Sequence, residues 1–268
     1  MAGGIVVCRQ PMAPRRSASY SPRMTTPRRA LVTGAASGIG AACAHRLAAE
    51  GLRVVAVDYD ADGLQAVAGD GIDAVQADLS DLDRLADLPT DVDVLVNNAG
   101  VQLVAPVEQF PPERFGYILR LMLESPFRLI RQSLPHMYGA GWGRVVNISS
   151  VHGLRASPFK AAYVAAKHGL EGLSKVVALE GAAHGVTSNC VNPAYVRTPL
   201  VTAQLADQAA VHGLTEAEVL DKILLEPVAV KRLIEPAEVA EVVALLCGPA
   251  SASLTGSSFV LDGGWTAH

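Results

Sequence analysis

Cysteine is scarce in this 268-residue chain, and what there is lies scattered. Cys8, Cys43, Cys190 and Cys247 form no C-x-x-C pair and no Cys/His cluster at metal-ligand spacing. A disulfide framework and a metal centre are therefore not expected, and the four read as small buried hydrophobes of a reducing, cytoplasmic compartment. Long apolar runs are missing too: none approaches the ~20 residues that span a bilayer, so no membrane partner is expected. Charge is sparse, at 18% with a net −4, which gives no footprint for nucleic acid. Acid is absent from residues 1–29, which carry Arg9, Arg15, Arg16, Arg23, Arg28, Arg29 and four prolines. That composition predicts a disordered basic extension over 1–28. It reads either as an organelle transit peptide or as an unstructured leader with the working start at Met24.

What is present is a chain that is half hydrophobic, long enough for one large core. From Arg29 onward short β-branched runs alternate with Ala/Leu-rich helical stretches. "RALVTG", "RVVAVD", "IDAVQAD", "VDVLVNNAG", "GRVVNISS", "VTSNCVNP" and "SSFVLDGG" read as seven strands. "GIGAACAHRLAAEG", "PERFGYILRLMLESPFRLIRQSLPHM", "PFKAAYVAAKHGLEGLSKVVALEGAAHG" and "PAEVAEVVALLCG" read as helices, with a further helical stretch at about 200–226. Strands apolar on both faces and separated by helices imply crossover connections and a parallel sheet covered on both sides. The expectation is one α/β domain over 29–268, a doubly wound Rossmann-type fold with a seven-stranded parallel sheet. Ligands of such sheets bind at the carboxyl ends of the strands. Those ends here are polar or glycine-rich.

The first strand runs into Thr33-Gly34-Ala35-Ala36-Ser37-Gly38-Ile39-Gly40. Glycines there let the backbone approach a diphosphate, which then faces the amides of a helix N-terminus. A glycine-rich turn alone is weak evidence, since a plain structural turn produces the same letters. Asp58 strengthens it, because an acid ending the second strand accepts hydrogen bonds from adenosine ribose hydroxyls and repels a 2′-phosphate. Ser37 is neutral where a basic residue could favour that phosphate, so both point to NAD. Asp78, closing the third strand, is placed for the adenine edge.

"SSVHGLRASPFKAAYVAAKHG", residues 149–169, gathers His152, Arg155, Lys160, Lys167 and His168 around Tyr163 without a single acid. On a helix Lys160, Tyr163 and Lys167 share one face. Acid/base work by a tyrosine near neutrality needs roughly three units of lowering from about 10, and an ammonium one turn away in a dry cleft is a plausible source. An exposed tyrosine with a solvated lysine is the ordinary reading of Tyr-x-x-x-Lys. Its place after "VVNISS", whose end brings Ser149 or Ser150 to the same cleft, argues otherwise.

Together these residues resemble the short-chain dehydrogenase/reductase family over about 29–265: TGAASGIG at 33–40, NNAG at 97–100, Ser150 and "YVAAK" at 163–167. The resemblance implies that Ser150 orients the reacting oxygen, Tyr163 transfers the proton, and Lys167 lowers the tyrosine pKa and holds the nicotinamide ribose. It also implies cofactor contacts from Leu79, Asn98, Ala99, Gly100, Pro193, Val196 and Thr198. Within the family, "VQLVAPVEQFPPERF", "SSVHGLRAS", "AAYVAAKHG", "VRTPLV" and "DGGWTAH" look closest to bacterial D-3-hydroxybutyrate dehydrogenases. That likeness places Gln102, His152, Lys160 and Gln204 around a substrate carboxylate, with Tyr195 and Trp265 at its small apolar end. His168 is given neither role. It further implies a small anionic hydroxy or keto acid as partner and a homotetramer. The stretch 200–226, rich in Ala and Leu with few glycines, reads as a helical lid that closes over the site and excludes water.

Three departures stand out. Met122 occupies the position of a family asparagine that holds a water of the proton relay, and a thioether cannot do this. Glu124 lies on the far side of that helix, whereas Ser125 shares the face of Met122. The usual Pro-Gly after the sixth strand is Pro193-Ala194, followed by Tyr195 where bacterial relatives have tryptophan. The sequence therefore leaves two alternatives open: a reductase of a larger carbonyl compound such as a 3-oxoacyl thioester or steroid, and a catalytically weak NAD-binding protein.

Overall fold

The structure is a computed structural model that describes residues 27–202, 205, 209 and 213–267. The basic segment 1–26 and Gln204 lie outside the described residues. Seven parallel strands are found: β1 (Arg29–Thr33), β2 (Arg53–Asp58), β3 (Ile72–Gln76), β4 (Val94–Asn97), β5 (Gly143–Ile148), β6 (Val186–Pro193) and β7 (Ser258–Leu261). Their order across the sheet is β3-β2-β1-β4-β5-β6-β7.

Residue alternation explains the two covered faces. Along β1, Ala30 and Val32 join one core while Leu31 joins the other, and β2 and β4 split the same way. The first core is closed by α1 (Gly38–Ala49) and α7 (Pro236–Cys247), through Cys43, Leu47, Val239 and Val243. The second is closed by α4 (Ser125–Ala140) and α5 (Ala161–Gly181), through Leu129, Ile130, Ala166 and Val177. Each fully buried large aliphatic side chain contributes about 1.5–3 kcal/mol, so both layers are tied firmly to the sheet. The chain winds outward from β1 to β3, then restarts at β4 beside β1. That reversal opens a crevice between the carboxyl ends of β1 and β4, where the glycine-rich turn and NNAG stand side by side.

Several boundaries differ from the sequence expectation. A short helix α2 (Ala61–Val67), capped by Asp60 Oδ1 accepting from Gly63 N at 3.1 Å, follows β2. β3 stops at Gln76, so Asp78 lies in the next turn, where its carboxylate accepts from Ser80 N at 2.8 Å and Ser80 Oγ at 2.7 Å. The stretch read as one long helix is α3 (Pro112–Leu119), a π turn at Arg120–Glu124, and α4. Pro126 supplies no N–H and its ring crowds the carbonyl four residues back, so the helix widens rather than keeping its α ladder. The lid region contains α6 (Glu216–Val219) and a second π turn at Leu220–Leu224. Val201, Leu205, Val219, Leu224 and Leu225 give this part its own small core, against which Tyr195 and Trp265 pack. No helix among the described residues is long and apolar enough to cross a membrane.

Candidate active site

The crevice widens into a cleft of about 390 Å³. Every expected cofactor residue lines it except Gly40, which works from behind. At Gly34 (φ +64°) and Gly38 (φ +53°) the backbone adopts the left-handed conformation that glycine tolerates. A Cβ on Gly40 would collide with Gly34 O, so the turn closes only over a glycine there. Ser37 begins α1 without capping it through its side chain, and no acid occupies the first turn. The amides of that turn are therefore not capped from within, which suits a diphosphate.

Thr33 and Asn98 fasten the turn to β4. Thr33 Oγ1 accepts from Asn98 N at 2.9 Å and Ala99 N at 3.1 Å, and Asn98 Nδ2 donates to Thr33 O at 2.9 Å and Gly34 O at 3.0 Å. Asp58 braces the other side. Its carboxylate accepts from Ala36 N at 3.0 Å and Asp60 N at 3.1 Å while lining the cleft. Thr198 packs its methyl against Gly38 and caps the following helical turn, accepting from Val201 N at 3.4 Å. The cradle thus fits a dinucleotide on the geometry of this chain.

The reactive end is built from the turn after β5 and the first turns of α5. Ser150 Oγ accepts from His152 N at 3.1 Å and reaches Pro193 O at 3.5 Å. Tyr163 stands half-buried beside it; burial pushes the phenol above its usual range and a hydrogen bond with Ser150 pulls it partly back. Lys167 Nζ lies 5.6 Å from the Tyr163 ring centroid and donates to Ile148 O at 2.6 Å. Burial lowers this ammonium to about 8. Around the phenol, burial and the Ser150 hydrogen bond thus pull in opposite directions, and the Lys167 ammonium stands off the ring.

His152 is held between two hydroxyls. Its Nε2 pairs with Ser157 Oγ at 2.9 Å and its Nδ1 with Ser150 Oγ at 3.3 Å. Burial, then Lys160 and His168, hold it down to about 3, so it is a neutral imidazole. Trp265 lies against it with ring centroids 5.6 Å apart. Lys160 enters the cleft from the residue before α5. Phe159, at φ +68°, takes a backbone conformation that costs a bulky residue about 1–3 kcal/mol, and this bend turns the lysine inward. Lys160 is 8% exposed, 5.8 Å above the Tyr195 ring, with no hydrogen-bond or ion-pair partner among the described residues. Burial lowers its pKa. Gln102 Nε2 is likewise buried in the cleft wall without a partner among the described residues. His168 faces solvent, with Nδ1 3.0 Å from Val164 O.

Met122 is fully buried and lines the cleft beside Gly100. Glu124 is turned away, accepting from Arg128 Nη2 at 2.9 Å. Ser125 Oγ is buried without a partner among the described residues, so its hydroxyl is available to an ordered water. The sequence reading missed Tyr117 and Leu121 in the cleft wall. Apolar and aromatic residues at helical spacing carry no signal separating wall from core. It missed Ser157 as well, which only the fold brings to His152.

A family model described as short chain dehydrogenase matches residues 28–209. The chain is 42% identical over 254 residues to D-beta-hydroxybutyrate dehydrogenase of Rhizobium meliloti (strain 1021), covering 89% of this chain and 98% of that one. It is 40% identical over 252 residues to the enzyme of the same name from Cupriavidus necator, with the same coverage. Among solved structures, a single-substitution variant of the actinorhodin polyketide ketoreductase with NADPH superposes with a TM-score of 0.85 at 34% identity, covering 91% of this chain and all of that one. With its seven-stranded parallel sheet, glycine cradle and Ser150, Tyr163 and Lys167 in one cleft, the chain belongs to the short-chain dehydrogenase family.

Proposed function

We propose that this chain oxidises a short 3-hydroxy acid with NAD, 3-hydroxybutyrate to acetoacetate being the leading reaction, and works in the cytoplasm as a homotetramer. One observation carries the substrate class. Lys160, a buried lysine with no hydrogen-bond or ion-pair partner among the described residues, lines the same cleft as Ser150 and Tyr163, and Gln102, whose Nε2 lacks a partner among the described residues, stands in the same wall. Such donors are costly to leave unpaired, and a carboxylate satisfies them together. A bulky neutral carbonyl compound would leave them orphaned. The two hydroxybutyrate dehydrogenases at 40% and 42% identity support the same reading. The preference for NAD rests on Asp58, whose charge opposes a 2′-phosphate.

A nicotinamide dinucleotide held in the cleft supplies the hydride acceptor. The chain's own residues do the remainder. The uncapped first turn of α1 and the glycine cradle hold the diphosphate, and Asp58 and Asp78 stand at the adenosine end. Lys160 and Gln102 draw in the carboxylate, with neutral His152 as a hydrogen-bonding wall and Tyr195 and Trp265 closing the apolar side. Ser150 holds the alcohol oxygen, Tyr163 takes its proton, and the Lys167 ammonium offsets the cost of forming a buried phenolate.

The test is turnover of (R)- and (S)-3-hydroxybutyrate with NAD and with NADP, in the wild type and in Lys160→Ala. One enantiomer is expected to turn over with NAD, and the variant should raise KM at least about tenfold, the worth of one charge-assisted hydrogen bond. Tight NADH binding without turnover of either enantiomer, or an unchanged KM in Lys160→Ala, would sink the reading.

A further inference from the structure

Glu171 is a buried acid that the chemistry above does not use. It lies on α5 one turn beyond Lys167, 5% exposed, beneath the cleft. Its Oε1 accepts from Asn192 Nδ2 at 2.6 Å, and its Oε2 accepts from Ser258 Oγ at 2.7 Å. The same Asn192 amide donates to Ser150 O at 2.9 Å. Above it runs the short turn Val151–Gly153, so close that a Cβ on Gly153 would lie 3.1 Å from Glu171 Oε1. Three elements, α5, β6 and β7, thus meet at one carboxylate placed under the segment that carries Ser150 and His152.

A carboxylate is an expensive group to bury, and two hydroxyl or amide donors only partly compensate it. Its place one helical turn from Lys167, on the same face, gives it a partner of opposite charge through dry protein. We propose that Glu171 is a positioning residue of the active site: it fixes the Ser150 segment through Asn192 and is the counter-charge that keeps Lys167 an ammonium. The inference rests on the dehydrogenase reading above.

The surroundings of Lys167 support a charge role. Its own helix presents Tyr163, whose ring centroid is 5.6 Å from Lys167 Nζ, and Glu171, and β6 presents Cys190. Among the groups lining the same cleft, His152 and Tyr117 titrate and Met122 does not. Burial lowers Lys167 to about 8, against the opposing pull of Cys190 and Glu171. The Cys190 thiol is itself pushed up by burial and by Glu171, so near neutral pH it is uncharged. Glu171 is then the acidic side chain that opposes the effect of burial on Lys167.

The experiment compares wild type, Glu171→Gln, Glu171→Asp and Asn192→Ala. Lys167 Nζ is titrated by ¹⁵N-lysine NMR with NADH bound, its signal assigned by loss in Lys167→Arg, and pH–rate profiles are recorded alongside. Glu171→Gln keeps an acceptor for Asn192 and removes the charge. Its Lys167 midpoint is expected about one pH unit lower, and the alkaline limb of its rate profile should move with it. Glu171→Asp should return the midpoint toward wild type. Asn192→Ala should lower kcat about tenfold while leaving the midpoint in place. Equal midpoints in wild type and Glu171→Gln would overturn the counter-charge role, and an unchanged kcat in Asn192→Ala the positioning role. The titration needs no substrate, so failure of the hydroxybutyrate reading leaves this test intact.

Discussion

Lys160 and His152 line the same cleft, and burial acts on them in the same direction with opposite results. Both are pushed toward their neutral forms. For His152, whose ordinary value is near neutrality, the push is decisive. Lys160 starts from a much higher ordinary value, so the same push is less decisive there, and the anion-attracting character of this wall rests on the lysine. A pH consequence follows from the histidine. In the unfolded chain it takes up a proton below about 6.5, whereas folded it resists to about 3. The folded state therefore loses stability as pH falls through that window, by about 1.4 kcal/mol per pH unit at most. His152→Phe should remove this loss. The difference between wild-type and variant unfolding free energies, followed from pH 7 to pH 4, should grow steadily in favour of the variant. A difference constant across that range would mean that His152 is protonated in the fold.

At the scale of elements, the glycine cradle and the helix that follows it are one device. Gly40 lies inside the first turn of α1, where helix propensity alone would favour alanine by about 1 kcal/mol. Contact with Gly34 O forbids it. Gly40→Ala should consequently destabilise the protein by about 3 kcal/mol, the overpacking cost of a site that cannot relax, and weaken NADH binding in parallel. Thermal unfolding and fluorescence titration would show it, and a neutral result would mean the turn is pliable. The same element scale decides what could be read from sequence. "TGAASGIG", "NNAG" and the Tyr163/Lys167 stripe were legible because their chemistry needs those residue types at fixed spacing. The π turn before Pro126 was not, since the 3.6-residue apolar period continues on both sides of it. Asp78 slipped one turn past its strand because an Asx turn with Ser80 looks, in letters, like a strand end. Glu171 and Asn192 lie 21 residues apart, and only the sheet brings them together.

For the whole molecule, the second core is covered by α4 and α5, and their outer faces are not purely polar. Phe127 on α4 and Val176 and Leu179 on α5 are about half or more exposed, Leu179 at 82%. Apolar side chains of this size gathered on adjacent long helices suit burial by a second copy. If the proposed tetramer forms, these helices are where its subunit contacts are predicted. Leu179→Glu should then shift the mass measured by light scattering toward smaller species with the fold intact by circular dichroism. An unchanged tetramer would move the contact elsewhere, and a wild-type monomer would end the proposal.

The bond from Ala36 N to Asp58 has a consequence for how this chain could change over generations. The acid on which the proposed preference for NAD rests is also a strut of the glycine-rich turn. A lineage drifting toward the phosphorylated cofactor cannot simply discard Asp58, because the loop would lose its brace in the same step. A second substitution that restrains Ala36 must come first or together with it. Directed evolution toward NADP should therefore recover paired changes at the end of β2 and in residues 35–38, with single replacements of Asp58 surviving selection poorly.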